Sequence, residues 1–417
     1  MKKCTGLIIL LCLLAWGSVF AADWPQFMGP MRTAEAPESE SGLLKKWPQN
    51  GPSEKWTVDV GVGYGGAAID DGKVFMLDRE GNQKDIFRVL DLDSGDELWR
   101  YEYSAPGKLS YDGSRSVPTV VGNRAFAVGP FGHMYCFDLE GRAPVWNRHL
   151  LSEFKAKRPN WGVAQAPLSY YSSVIVAPVG DEAGVVAINQ ETGLNIWKSE
   201  KLRGGAGYVS PVGAQIDGVD MVIQVTTEET VGIEARSGRI LWRYGGWRCR
   251  IPVTVPTVLP ENRIFITGEY GAGSAMIQVN KADDGSFQVK ELYKTDKVGA
   301  QIHAPIFHED HLFIMSNGNR RRDGLVCMDL LGNVKWKTQM NPNFERGGII
   351  FADGMLYAID GKNGEVYLIE PSTESFRPVS KAGLLGGKQV WAPLAISNGN
   401  LIIRDQNQMK CFDVSSE

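Results

Sequence analysis

No two cysteines are adjacent in this chain of 417 residues, which holds six in all, and histidine occurs five times. Neither type falls at ligand spacing. Cys136, Cys327 and Cys411 share one recurring slot, in Cys136-Phe137-Asp138, Cys327-Met328-Asp329 and Cys411-Phe412-Asp413. The units carrying them are not neighbours, so their Cα atoms lie beyond the ~7 Å that a disulfide spans. A shared zinc ion is excluded for the same reason. In such a slot, free cysteine acts as a small hydrophobe. His303, His308 and His311 look clustered on paper, but five residues of strand hold His303 about 16 Å from His308. No Ser/His/Asp set, zinc motif or phosphate loop is present.

Charge of one sign is also lacking. The formal net charge is −4, which gives no electrostatic footprint for nucleic acid. The one basic run, Arg320-Arg321-Arg322, stands between Asn319 and Asp323 and reads as a solvated turn. Long apolar runs are absent too. Leu7 to Leu14 falls short of the ~20 residues of a membrane span. With Lys2, Lys3 and Val19-Phe20-Ala21 around it, that run reads as a secretory signal over 1–21, cut after Ala21. Leu10-Leu11 precede Cys12 where a lipidated cysteine needs small residues, so no lipid anchor is expected. The expectation is a soluble periplasmic or secreted monomer.

Long helical periodicity is missing as well, and a repeat takes its place. Asp91 to Trp99 (DLDSGDELW) returns as Asp138 to Trp146, Asn189 to Trp197, Glu234 to Trp242 and Asp329 to Trp336. Tyr293 and Phe376 continue the series and Trp56 precedes it, at intervals of about 40 to 50 residues. Within each unit, a short apolar strand often opens on Pro, as in Val117-Pro118 or Ala304-Pro305, where a missing N–H does no harm. A tight Asp-Gly or Asn-Gly turn then leads to a second strand, a Cys136-type strand and a Trp strand. Four antiparallel strands per unit make a propeller blade. The chain is therefore all-β, an eight-bladed β-propeller over 54–417 preceded by an extended arm over 22–53.

The last unit ends at Cys411-Phe412-Asp413 without a Trp strand, while Lys55-Trp56-Thr57-Val58-Asp59 has no unit of its own. The N-terminal strand is expected to complete the eighth blade and so remove both open sheet edges. Trp56, Trp99, Trp146, Trp197, Trp242, Tyr293 and Trp336, one per blade at one position, read as rings docked between blades.

The unit Asp/Asn-x-x-Thr/Ser-Gly-x-x-x-Trp resembles the pyrroloquinoline-quinone-like (quinoprotein) β-propeller repeat, most closely at Asp91 to Trp99, Asn189 to Trp197 and Glu234 to Trp242. Asp23-Trp24-Pro25-Gln26-Phe27-x-Gly29-Pro30 resembles the opening of exported bacterial members. The resemblance implies a fold that hosts unrelated activities. One branch, the quinoprotein dehydrogenases, holds pyrroloquinoline quinone (PQQ) with Ca²⁺ and carries a vicinal cysteine pair that this chain lacks. The other is the non-catalytic propeller of the outer-membrane β-barrel assembly machinery, a lipoprotein.

Site residues are expected at one mouth of the channel, where the loops entering the inner strands meet. Two residues before the inner-strand prolines stand Ser116, Gln165, Val209, Thr254, His303 and Trp391, which vary as a channel lining would. Beside them stand Tyr64, Arg115, Arg158, Trp161, Tyr208, Arg248 and Arg346. Arginines and aromatics with few carboxylates suit a small anionic or sugar-like molecule, a carbohydrate or an envelope protein. The expected function is a non-catalytic binding scaffold with no catalytic residue, metal or cofactor. A PQQ- and Ca²⁺-dependent oxidoreductase is the first alternative. The second is a carbohydrate-active hydrolase or lyase, for which only His303 with Tyr208 offers a pair.

Overall fold

The computed structural model describes residues 23–416, so the expected leader lies outside the described residues. Eight four-stranded antiparallel sheets stand around one axis, and one short helix, Leu150–Glu153, interrupts them. In the first blade the strands run Ala68–Asp70, Lys73–Glu80, Lys84–Asp91 and Glu97–Ser104, from the axis outward. Middle strands such as Lys73–Glu80 are buried at six consecutive positions, because neighbouring blades cover both faces. The outermost strand alternates, with one face toward water. The tight turns at Asp71-Gly72, Asp217-Gly218, Asp353-Gly354 and Asn398-Gly399 have both central residues at positive φ. That is the type I′ geometry these dipeptides favour.

The ring closes as the repeat count requires. Ser53–Asp59 is the outermost strand of the eighth sheet, antiparallel to Gln408–Asp413, with Trp56 opposite Cys411.

Most of the repeated rings bond the next blade. Trp56, Trp146, Trp197 and Trp336 donate Nε1–H to the carbonyls of Leu92, Gln190, Ala235 and Ser372 at 2.8, 2.9, 3.0 and 2.9 Å. The turn glycine beneath three of them has both a positive φ and no room. A Cβ on Gly95, Gly193 or Gly238 would stand 2.7, 2.8 or 2.5 Å from the indole. Tyr293 covers Gly332 in the same way. Two rings behave otherwise. Trp99 meets Phe87 and Phe137 edge-on. Trp242 turns back to Met221 of its own blade at 3.3 Å. The next blade's outer ladder runs on to Lys281 opposite Phe287, which carries its turn past the reach of that indole.

The arm enters the ring. Trp24 bridges Ile69 and the Pro25 carbonyl accepts from Val120, both on inner strands. A tight turn over 26–34 follows, with Met28, Gly29, Arg32 and Ala34 at positive φ. The chain then returns past Phe351, bridged by Glu35, to Glu40, whose carboxylate accepts from the Asn398 and Gly399 N–H groups at 2.7 Å each. Both ends of this tongue lie at the turns leading out of inner strands, so it is inserted from that face. Its tip holds Arg32, fully buried, which donates to the Gln26 side chain (2.9 Å) and to the carbonyls of Ala166 (3.3 Å), Pro167 and Pro211 (2.8 Å).

Glu35 sits in the tongue's returning limb, where burial pushes its carboxyl up to about 7 from the ordinary 4.5. The fold therefore holds this proton more tightly than the unfolded chain does. The associated stability is full below pH 4.5 and is lost as pH rises toward 7. Glu35→Gln is expected to be more stable than the parent at pH 8, by up to about 3 kcal/mol. The gap should close below pH 4.5, as urea denaturation at both pH values will show. Asp85, raised to about 6 by burial, titrates in both proteins and cancels in the difference.

Candidate functional site

At the opposite mouth the tongue's Phe27 floors a cavity of about 170 Å³. Its walls come from loops entering the inner strands, which bring Tyr64, Tyr111, Arg115, Trp161, Tyr208, His303, Arg346 and Trp391. Two hairpin loops add Tyr270 and Asn319. The rings form two stacked pairs. Tyr64 lies on Trp391 with centroids 5.3 Å apart and planes 24° from parallel, and Trp161 lies on Tyr208 at 5.1 Å and 25°. Tyr111 joins them, 5.9 Å from Trp391 and edge-on to Trp161 at 6.0 Å.

The two lining arginines differ in their bonding. Arg346 stands over Trp391 at 4.9 Å and has a partner on each of its three nitrogens, with Glu345 at 2.5 Å, Gln301 at 3.0 Å and Asn319. Arg115 stands over Tyr64 at 5.5 Å and donates only to the backbone carbonyls of Gly113 (2.6 Å) and Tyr111. Burial pulls Arg115 down to about 10, with Asp112 acting on it from a distance, so it remains a cation at neutral pH. His303 is fully buried, and desolvation lowers it to about 4, which keeps the ring neutral. Its Nε2 has no hydrogen-bond partner, and neither has Nε1 of Trp391.

Seven of the sequence-derived site residues thus meet at one cavity: Tyr64, Arg115, Trp161, Tyr208, His303, Arg346 and Trp391. Three do not line it. Gln165 is buried and clamps the backbone of Ala177, donating to its carbonyl at 2.9 Å and accepting from its N–H at 2.6 Å. Arg158 lies over Phe131 at 5.2 Å. Arg248 is exposed between buried Trp247 and Cys249. The variable position before the inner-strand prolines is also not a uniform lining. Ser116 and Thr254 are buried ties between blades, donating to the carbonyls of Gln165 and Ala300 at 2.9 and 3.1 Å. Their variety reflects different ways of joining adjacent blades. Phe27, Tyr111, Tyr270, Gln301 and Asn319 were missed. Tyr111 adjoins Asp112 in a loop already singled out, whereas nothing in the strand pattern marks Tyr270 or Asn319.

A calcium-bound quinone would need a shell of oxygen ligands, about six to eight for Ca²⁺. Among the described residues no carboxylate lines the cavity, and its donors are indole, imidazole and guanidinium nitrogens with a few amides and phenols. Below it the tongue fills the axis. The residues present do not fit that group.

An eight-bladed propeller of quinoprotein-like blades, with a tongue through its axis and an aromatic cavity at one mouth, is the class the geometry defines. Within it, the chain belongs to the family described as outer membrane protein assembly factor BamB, whose family profile matches residues 82–338. Comparison with curated proteins finds no match. Among solved structures, BamB from Moraxella catarrhalis superposes with a TM-score of 0.59 at 14% identity, covering 88% of this chain and 98% of that one. A europium-containing methanol dehydrogenase gives 0.62 at 11%, covering 93% and 89%. Quinohemoprotein alcohol dehydrogenase from Comamonas testosteroni gives 0.58 at 12%, covering 95% and 81%. At these identities the likeness is one of fold.

Proposed function

We propose that the protein is an exported, non-catalytic propeller of the cell envelope that binds a ligand at its aromatic mouth. The observation carrying this reading is the cavity itself: two stacked aromatic pairs and a cation without a carboxylate partner, over a floor supplied by the chain's own arm. Such a surface binds by stacking and directed hydrogen bonds. It has no carboxylate for general acid–base work, and His303 is neutral and buried. The leader expected over 1–21 and the family's outer-membrane assembly description support an envelope location. No helix among the described residues is long and apolar enough to cross a membrane.

The test is binding without turnover. Tryptophan emission of the purified protein should respond saturably to one member of a panel of envelope saccharides and peptides. Trp161→Ala should abolish that response while lowering the melting temperature by only a few degrees, since Trp161 is half-buried. Saturable binding of PQQ with Ca²⁺, together with dye reduction by an alcohol or sugar, would overturn the reading in favour of a quinone-dependent oxidoreductase.

A further inference from the structure

The bonding inventory of the cavity is lopsided toward donors. A guanidinium carries five N–H donors, and Arg115 spends them on only two carbonyls. Trp391 Nε1 and His303 Nε2 also lack partners, but both atoms are sealed from the cavity, so Arg115 is the donor a ligand reaches. The oxygen atoms nearby are largely committed. Gln301 Oε1 and Asn319 Oδ1 both accept from Arg346, and the Tyr208 hydroxyl accepts from the Trp161 N–H at 3.1 Å. The only carboxylate in contact with a lining cation is Glu345, on Arg346. A ligand that brings an oxygen pair into the cavity meets the Arg115 guanidinium, the lining donor still short of acceptors.

Shape points the same way. Arg115 lies on Tyr64 of one stacked pair and lines the same cavity as Trp161 and Tyr208 of the other. A planar or chair-shaped ring placed among those aromatics would carry a substituent toward the guanidinium. Arg115 is the lining cation that bonds no carboxylate, and one planar ligand carboxylate pairs its fork by two parallel hydrogen bonds.

We infer that the cavity takes a six-membered ring bearing one carboxylate, its ring held by the aromatic pairs and its carboxylate by Arg115. Sugar acids and aryl acids are the two sources of that chemistry. The inference rests on the binding role proposed above and adds the ligand class.

The experiment uses the full chain and three probes: trigalacturonate, its fully methyl-esterified form and benzoate, titrated against tryptophan emission and by calorimetry. At least one acid is expected to bind, and trigalacturonate at least tenfold tighter than its ester if sugar acids are the source. Saturable benzoate binding without trigalacturonate binding would assign the aryl source and keep the inference. Arg115→Gln should weaken binding of the preferred acid at least tenfold and erase any preference over the ester. Arg115→Lys keeps the cation and should retain part of the preference for the acid over the ester, so a folding defect in Arg115→Gln does not decide the matter. If the ester binds as tightly as the acid, or a neutral saccharide binds in a Trp161-dependent way while neither acid does, the ligand class is wrong and the binding role stands. If neither acid and no member of the wider panel changes the emission, both fall.

Discussion

Arg32→Ala is expected to destabilise the protein by about 3–5 kcal/mol. Arg32 is fully buried at the tip of the tongue, and burial drags it down to about 9 without a carboxylate to compensate. Its own desolvation opposes folding, so removal relieves one cost. Against that stand the carbonyls of Ala166 and Pro211, left without the donor that joins two blades to the arm, while that of Pro167 keeps the Thr119 hydroxyl at 2.6 Å. Orphaned buried groups at about 1–3 kcal/mol each outweigh the relief. Equilibrium urea denaturation measures the sum. Arg32→Met fills most of the volume yet leaves the same carbonyls unbonded, and it should stay well below the parent. If Arg32→Met matched the parent, packing rather than hydrogen bonding would hold the tongue.

The second large effect belongs to Trp56. Trp56→Ala should cost about 3–5 kcal/mol, the range for a buried aromatic truncated in a packed core. The indole is 7% exposed, bonds Leu92 of the first blade and covers Gly95. It belongs to the strand that joins the two ends of the ring, so its loss loosens the seam as well as one blade contact. Trp99→Ala is the comparison. Trp99 is half-buried and meets Phe87 and Phe137 without a hydrogen bond to the next blade's turn, and its loss should cost visibly less. Equal midpoint shifts for the two variants would show that the seam is no weaker than any other blade boundary.

The blades and their closure were legible because each is specified locally and repeatedly. Asp-Gly and Asn-Gly turns, Pro-opened inner strands and a Trp-bearing outer strand recur with a period that chance does not produce, and the unmatched pieces at Trp56 and Cys411 complement one another. Trp242 shows where local reading stops. Its sequence context matches that of Trp197, but its partner is decided by how far the next blade's ladder extends. The tongue was less legible still. Its aromatics suggested packing on the main body, yet nothing periodic in Trp24 to Glu40 reveals a path through the axis, since its partners are scattered from the first blade to the last. The cavity stands between these cases. The loops entering the inner strands pointed to Tyr64, Arg115 and Trp391 because arginines and aromatics concentrate there. Gln165 sits in the same loops but serves the backbone of Ala177, and Phe27 reaches the site from the arm.

The tongue also orders events in time. Residues 24–40 pair with Phe351, Asn398 and Gly399, which belong to the last two blades. The tongue therefore reaches its full set of contacts only when those blades have formed. Contacts this remote in sequence are slow to form, so maturation should finish with a late docking step. Until then the floor beneath Tyr64 and Trp391 would be absent, and newly made protein would acquire its pocket only once the hub is filled.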